Sequence, residues 1–336
     1  MSKLKFSIIG CQHAHVEIFI SEMLELGHEC VGIYEPDNVN LASAIASRHN
    51  IPLVSDRDRL VAEDVDIVGS AAINSEKIDV IELCEAHGKP IMVDKPIVTS
   101  LAAFERLQAV VQRGKIKIGM LLTERFSPAI YTLKQMIDKG ELGEIISVGF
   151  RKPHRLRKEG RPAWFFDKAQ CGGILIDLFI HDFDLLRWFT GKEVASTEGF
   201  LSKNMLPEYP TFYDAASMIV RMEGDVVAQL YADWHTPEKS WTWGDGRIFV
   251  TGTEGFAELR LEGDPSIGHR QLLLQLTNQQ EQQLVEPVKP PFTITQDFLN
   301  YVDGSTSALL THEAILKATW DTLQADAKTP VIGRYA

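Results

Sequence analysis

Short apolar runs alternate with amphipathic stretches over the first 122 residues of the chain. The apolar runs are 6–9, 31–34, 66–70, 90–93 and 116–120. The stretches between them carry apolar residues at helical spacing, and they are 16–26, 38–48, 76–87 and 101–113. A regular succession of strand and helix predicts a parallel sheet with helices on both faces, which is a doubly wound α/β domain.

The pattern changes after residue 122. Ser127 followed by Pro128 is typical of a helix start, and we expect that helix to end at Gly140. Residues 195–274 alternate as longer strands, and residues 296–327 return to helical periodicity. Two hairpin turns are predicted among the strands, at 223–225 and 254–255. Long strands with few helices between them favour an antiparallel or mixed sheet with one open face.

Length and composition add limits to this picture. The 336 residues suggest two domains, which we place at 1–122 and 123–336. A net charge of -12 disfavours a nucleic-acid partner or an anionic membrane, because phosphates would be repelled. The four cysteines include no C-x-x-C pair, so neither a zinc ribbon nor a disulfide framework is expected. The start of the chain lacks a secretory signal, and no apolar run is long enough to span a bilayer, so a cytoplasmic protein is predicted.

The first apolar run leads into the turn GCQHAH and then into a helical stretch. A dinucleotide-binding turn here has the pattern G-x-G-x-x-G, whose glycines permit a tight turn and close approach of a pyrophosphate. Gly10 fits the first glycine, whereas Gln12 and His15 take the places of the other two. The turn is either an altered cofactor turn, in which His13 also lines the cofactor, or an ordinary loop between strand and helix.

Glu35 ends the second apolar run, where a carboxylate binds the adenosine ribose hydroxyls in dinucleotide-binding folds. Residues 36–38 include no arginine that would hold a 2′-phosphate, so NAD is favoured over NADP. The alternative interpretation is a solvated acid at the end of a strand.

A second group of candidate residues lies in the segment 171–191, CGGILIDLFIHDFDLLRWFTG. Helical spacing puts Asp177, His181 and Asp184 on one stripe. A carboxylate one turn away can orient an imidazole, and a histidine transfers protons near neutral pH. Lys95, in a D-K-P turn after the fourth apolar run, is a candidate to stabilise a developing alkoxide. The alternatives are a buried structural histidine and a surface lysine.

Blocks along nearly the whole chain resemble the Gfo/Idh/MocA oxidoreductase family, which includes glucose-fructose oxidoreductase and inositol dehydrogenases. The matching blocks include GKPIMVDKP, RFSP, GELGEI, GGILIDLFIHDFDLL and GTEGFAEL. The resemblance implies a Rossmann domain, followed by an α/β domain with a large, open and mostly antiparallel sheet.

The resemblance also implies roles for individual residues. Lys95, Asp177 and His181 match the family's catalytic lysine and its D-x-x-x-H pair. Asn74 matches an asparagine near the cofactor, and Arg125 matches a residue that lines either the cofactor or the substrate side. The cofactor-binding residues expected on all these grounds are Gly10, Gln12, His13, Glu35, Asn74, Asp94, Lys95 and Arg125.

These observations predict an NAD(P)-dependent oxidoreductase that transfers a hydride between nicotinamide and a sugar, polyol or related hydroxylated small molecule. His181 is the expected general acid/base, and Lys95 is expected to polarise the reacting oxygen. One alternative is an NAD-using glycoside hydrolase of the same fold, and another is a non-catalytic sensor with a degenerate nucleotide turn. An open apolar sheet face needs cover, so a homodimer or homotetramer is expected.

Three further features have weaker interpretations. The basic stretch 151–161 either steers an anionic substrate or is solvated, and the solvated interpretation is favoured. Trp234, Trp241 and Trp243 either stack on a sugar ring or pack in a core or interface. The histidines lack carboxylates or cysteines at a metal-binding spacing, so no metal site is expected.

Overall fold

The computed structural model describes residues 3–336 and shows an α/β protein with two sheets. The strands are β1 (Lys5–Cys11), β2 (Glu29–Tyr34), β3 (Ile67–Ala71), β4 (Ile91–Val93), β5 (Ile118–Met120), β6 (Ile145–Pro153), β7 (Val194–Ser202), β8 (Ala215–Met222), β9 (Val227–Asp233), β10 (Arg247–Gly252), β11 (Gly255–Arg260), β12 (Leu272–Thr277), β13 (Gln283–Val285) and β14 (Val331–Ile332). The helices are α1 (Val16–Glu25), α2 (Val39–His49), α3 (Lys77–Ala86), α4 (Leu101–Arg113), α5 (Pro128–Asp138), α6 (Lys168–Cys171), α7 (Gly173–Thr190), α8 (Ile294–Val302) and α9 (His312–Lys328).

The first sheet has the strand order β2-β1-β3-β4-β5, and its neighbours all pair in parallel. The apolar runs become strands that are largely buried, with β3, β4 and β5 buried at every residue. Helices α1 to α4 alternate with these strands, as a parallel sheet requires. The predicted parallel, doubly wound sheet is confirmed.

Contacts within the chain divide it into two compact units. The first unit comprises the chain up to Leu122 together with Ala169–Gly172 and Phe292–Trp320. The second unit comprises Thr123–Lys168, Gly173–Pro291 and Asp321–Ala336. One of these breaks falls after Leu122. The assignment of two domains at 1–122 and 123–336 stays a prediction.

Residues 292–320 pack with the first unit, although the sequence analysis placed them in the second domain. The backbone N–H of Thr295 donates to Glu22 Oε2 at 3.0 Å, which ties the start of α8 to α1. Phe298 packs on β5, where a Cβ added to Gly119 would lie 2.7 Å from its ring. The apolar face of α8 is therefore part of the core of the first unit.

The second sheet lies in the second unit and has the order β13-β12-β11-β10-β6-β9-β8-β7-β14. Its pairs are antiparallel except β6 with β9 and β14 with β7. Helix α7 covers one face of the sheet at β6, β8 and β9. The large, open and mostly antiparallel sheet expected for the second domain is confirmed, and so are the hairpins that join β8 to β9 and β10 to β11.

The opposite face of this sheet carries exposed apolar side chains. On β8, Met218 and Val220 point into the core, while Ile219 between them is 48% exposed. Phe200 on the neighbouring β7 is also 48% exposed. Ile219, Phe200 and Tyr231 line a groove of about 810 Å³.

Helix α5 begins as predicted, with Ser127 as the N-cap residue and Pro128 in the first turn. The Ser127 hydroxyl does not cap the helix, because it donates to Gln271 Oε1 at 2.9 Å. The helix ends at Asp138, before Gly140, which takes a left-handed φ of 74° in the turn that follows. No helix within residues 3–336 is both long and apolar enough to cross a membrane.

Candidate functional site

The turn after β1 requires glycine at its first position. Gly10 has a φ of +84°, and a Cβ added there would lie 2.6 Å from Ala72 Cβ. Gln12 follows this glycine and is tied to the neighbouring strand β3, because its backbone N–H donates to the carbonyl of Ala71 at 2.8 Å. The chain thus turns tightly into α1 at the carboxyl end of the sheet, where α/β folds of this kind bind ligands.

Glu35, which follows β2, is bound by the same turn. Its Oε2 accepts from the backbone N–H of Cys11 at 2.6 Å, and its Oε1 accepts from Gln12 Nε2 at 2.7 Å. Oε1 also accepts from the backbone N–H groups of Asp37 and Asn38, both at 2.9 Å. Oε1 thus accepts from three donors, whereas Oε2 accepts from one. A carboxylate oxygen has two lone pairs, so Oε2 retains capacity for one further donor.

The turn and Glu35 fit the adenosine side of a dinucleotide, but with a restriction. The glycine-dependent turn and the remaining acceptor position on Glu35 are what a ribose and its phosphate need. Gln12 stands at the position of the second glycine of the pattern. Its side-chain amide donates a hydrogen bond to the Glu35 carboxylate, which a glycine would leave open to the ribose. The structure therefore brings Gly10, Gln12 and Glu35 together, and their role in cofactor binding stays a prediction.

Two histidines of this turn converge on Asp94, which follows β4. His13 Nδ1 lies 3.0 Å from Asp94 Oδ2, and His15 Nδ1 lies 3.1 Å from Asp94 Oδ1. Burial by itself raises the pKa of Asp94, but the two imidazoles and Lys77 outweigh it and hold that pKa well below its usual range. Burial also lowers the pKa of His13.

The ring nitrogens and carboxylate oxygens of His13, His15 and Asp94 lie within 4.8 Å of one another, a spacing that metal ligands also adopt. The expectation of no metal site rested on sequence spacing, and that spacing did not reveal this cluster. Asp94 lies on a different strand end and meets the histidines only because β1 and β4 belong to the same parallel sheet.

Lys77, at the start of α3, holds the turn that contains Lys95. Its Nζ donates to the carbonyl oxygens of Asp94, Lys95 and Pro96 at 2.7, 3.3 and 3.1 Å. It also donates to Asn74 Oδ1 at 2.8 Å. Lys77 is fully buried, and sequence analysis missed it because a lysine in the first turn of a helix gives no local signal of burial.

The predicted residues Asn74 and Lys95 are therefore fixed by one buried ammonium group. Asn74 Nδ2 in turn donates to the carbonyl of Cys171 at 2.9 Å. Lys95 is itself buried, and its peptide bond to Pro96 is cis. The turn after β4 is thus a built element of the first unit and not a loose surface loop.

In the second unit, Asp177 and His181 lie one turn apart on α7. They share a face of the helix, because residues four apart in a helix are neighbours. His181 is buried, and Asp177 is partly exposed. The helical placement expected for this pair is what the structure shows.

A buried cluster of charges adjoins this pair. Lys152 Nζ lies 2.5 Å from both Glu124 Oε1 and Asp182 Oδ1. Burial by itself lowers the pKa of Lys152, but the two carboxylates outweigh it and raise that pKa. Burial, aided by repulsion from Glu124, raises the pKa of Asp182 to about 7. Burial opposes ionisation of Glu124 too, yet Lys152 and His181 lower its pKa.

Arg125 also lies in the second unit, where it binds Asp184. Its Nε and Nη2 donate to the two oxygens of Asp184 at 2.7 and 2.6 Å, and both side chains are buried. This fork-shaped pair accounts for Asp184, the second acid of the predicted stripe. The cofactor contact expected of Arg125 stays a prediction.

Comparison with protein families gives two matches along the chain. Residues 4–120 match the oxidoreductase family's NAD-binding Rossmann fold, and residues 130–258 match the GFO/IDH/MocA C-terminal domain.

Curated relatives are similar over part of their length. The scyllo-inositol 2-dehydrogenase (NAD(+)) of Bacillus subtilis is 30% identical over 220 residues, which are 64% of this chain and 61% of the relative. The rhizopine catabolism protein MocA of Rhizobium meliloti is 30% identical over 217 residues, 62% of this chain and 63% of the relative. The matched part of the chain thus spans about three fifths of these relatives.

Solved structures are similar over nearly the whole chain. A candidate oxidoreductase from Erwinia carotovora atroseptica has a TM-score of 0.89 at 26% identity, covering 98% of this chain and 100% of that one. The myo-inositol 2-dehydrogenase of Lactobacillus plantarum has a TM-score of 0.77 at 18% identity, with 98% of each chain covered, and at that identity it shows the fold alone.

Proposed function

Because the chain belongs to the GFO/IDH/MocA family of oxidoreductases, we propose that it transfers a hydride between NAD and a sugar, a polyol or a related hydroxylated small molecule. One observation carries the proposal. The turn after Gly10 and the turn that holds Lys95 meet at the carboxyl edge of the parallel sheet, joined by the contact of His13 with Asp94. Ligands of open α/β sheets bind at this edge.

Three side chains have roles in the proposed reaction. His181 takes the hydroxyl proton as general base, and Asp177 orients its imidazole. Lys95 donates a hydrogen bond to the reacting oxygen and stabilises alkoxide charge. A bound nicotinamide supplies the hydride acceptor.

The cofactor proposed is NAD in preference to NADP. The carboxylate of Glu35 would repel a 2′-phosphate, and residues 36–38 supply no arginine to bind one.

The free cysteines of the described chain are consistent with a reducing compartment, and we propose that the protein works in the cytoplasm.

The first prediction tests these roles with single variants. Lys95→Ala and His181→Ala are expected to lose at least about a hundredfold in kcat, as removal of a proton-transfer or oxyanion group does. The measurement is nicotinamide absorbance in a screen of inositols, sugars and polyols. Lys115→Ala and His87→Ala are matched controls, because both residues are exposed and lie outside the proposed site. Wild-type kcat in either test variant would remove that residue from the mechanism.

A second candidate function is a binding protein without catalysis. The hydrogen bond from Gln12 to Glu35 favours it, because that contact competes with a ribose for the carboxylate. Calorimetry separates the two candidates: an absence of NAD and NADP binding at millimolar concentration would favour the non-catalytic binding protein.

The NAD-using glycoside hydrolase is tested by its product. Cleavage of a glycoside without net formation of NADH would indicate that activity.

A further inference from the structure

Arg161 stands apart from the other basic residues of the stretch 151–161. It is partly buried in the loop between β6 and α7, and its Nε donates to the carbonyl of Leu156 at 3.1 Å. Three aromatic rings surround its guanidinium. The distances from Arg161 Cζ to the ring centroids are 4.2 Å for Phe165, 5.4 Å for Trp234 and 5.7 Å for Trp243.

Within residues 3–336, no carboxylate lies at ion-pair distance from Arg161. Burial is the main cause that lowers its pKa, and nearby Arg157 lowers it further. Asp177 acts on Arg161 electrostatically in the opposite sense, which places the guanidinium near the predicted catalytic helix. A partly buried cation without an ion pair is unfavourable, and an anionic ligand would relieve that cost.

Three neighbouring basic side chains are either paired with carboxylates or exposed to solvent. Lys152 is paired with Glu124 and Asp182, and Lys158 is paired with Glu208 at 2.7 Å. Arg157 is exposed to solvent. The solvated interpretation favoured for the whole stretch therefore does not describe Arg161.

We propose that Arg161 forms a subsite for the anionic group, a carboxylate or a phosphate, of the hydroxylated substrate. The guanidinium fork offers paired N–H donors that match either group. The partly exposed ring of Trp243 beside it provides an apolar wall for a sugar ring or carbon chain. The substrate class is then an acidic sugar, a hydroxy acid or a sugar phosphate. This inference rests on the proposed function.

The test compares ligands that differ in charge. Glucose, glucuronate and glucose 6-phosphate are assayed by kcat/KM with NAD and by calorimetric binding to the NAD-loaded protein. The wild type is expected to prefer at least one anion over glucose by at least about tenfold. The two anions distinguish a carboxylate subsite from a phosphate subsite.

Variants assign the preference to the side chain. In Arg161→Gln the anion-to-glucose ratio should fall to about one, and Arg161→Lys should retain an intermediate ratio because its charge remains without the fork. A ratio of two ligands on one variant is insensitive to a general loss of stability. Arg151→Gln is the matched control and should leave the ratio unchanged, because Arg151 is exposed and lines the groove on the open sheet face.

Binding of glucose as tight as binding of both anions by the wild type would overturn the proposal. So would a preference that survives in Arg161→Gln, or failure of both anions to bind the wild type at millimolar concentration. Calorimetry distinguishes failure of the anion subsite from failure of the proposed oxidoreductase function, because it measures binding without turnover. If no hydroxylated compound is oxidised but an anion still binds through Arg161, the proposed function fails and the subsite stands.

Discussion

At the scale of single residues, the contact between Gln12 and Glu35 decides how well this fold can hold a dinucleotide. The sequence indicated that Gln12 takes the place of a glycine, and the structure shows what its side chain does there. The amide donates to the carboxylate that would bind the ribose hydroxyls. The side chain at position 12 thus acts on a residue that follows another strand.

We predict that Gln12→Gly binds NAD more tightly than the wild type. Removal of the amide takes away the side chain that competes with a ribose hydroxyl for the Glu35 carboxylate. A hydrogen bond gained there corresponds to an increase of up to about tenfold in affinity. Calorimetric titration with NAD measures it. Gln12→Ala separates the two causes, since it removes the amide but keeps a Cβ in the turn. Weaker binding by both variants would show that Gln12 contributes to the cofactor site.

The sequence predicted those residues whose signals are local. Gly10 was identified by its place after a strand, and the pair Asp177 and His181 by helical spacing. It did not identify Lys77 or the cluster around Lys152, because their partners lie far away along the chain. Such pairings exist only after the sheets have formed, so a spacing rule cannot reveal them.

At the scale of helices and strands, the alternation of strand and helix along the first 122 residues followed from hydrophobic periodicity alone. The position of α8 did not, because an amphipathic helix shows which face is buried but not what covers it. The turn after β4 is another element whose shape depends on a distant partner. Its carbonyl groups converge on the ammonium of Lys77, so α3 and this turn form one structure.

We predict that Lys77→Met lowers the free energy of unfolding by roughly 3 kcal/mol, because it leaves buried carbonyl groups without their charged donor. Urea unfolding of the variant and of the wild type measures the change. Lys115→Met, at an exposed position, should change the free energy by less than about 0.5 kcal/mol. An effect of Lys77→Met as small as that of the control would mean that the turn keeps its shape without the lysine.

At the scale of the whole molecule, neither proposal uses the apolar groove on the open face of the second sheet. Ile219 and Phe200 are exposed there, on neighbouring strands of a regular sheet. A contiguous apolar face of this kind commonly marks an interface between subunits. We propose that it joins two copies of the chain in a homodimer or within a homotetramer.

We predict that Ile219→Glu dissociates this assembly, because a buried unpaired carboxylate at the interface is unfavourable. Light scattering coupled to size-exclusion chromatography gives the mass of the wild type and of the variant. Leu53→Glu is the matched control, since Leu53 is 48% exposed like Ile219 but lies in the first unit. A wild type that elutes as a monomer, or a variant that keeps the assembled mass, would contradict the proposal.

The return of α8 to the first unit has a consequence for biosynthesis. A ribosome delivers β5 long before it delivers Phe298, which covers that strand. The amino-terminal sheet therefore stays incompletely packed while the strands of the second sheet are translated, and it reaches its final form only after α8 emerges. During this interval the nascent chain presents uncovered apolar surface to molecular chaperones.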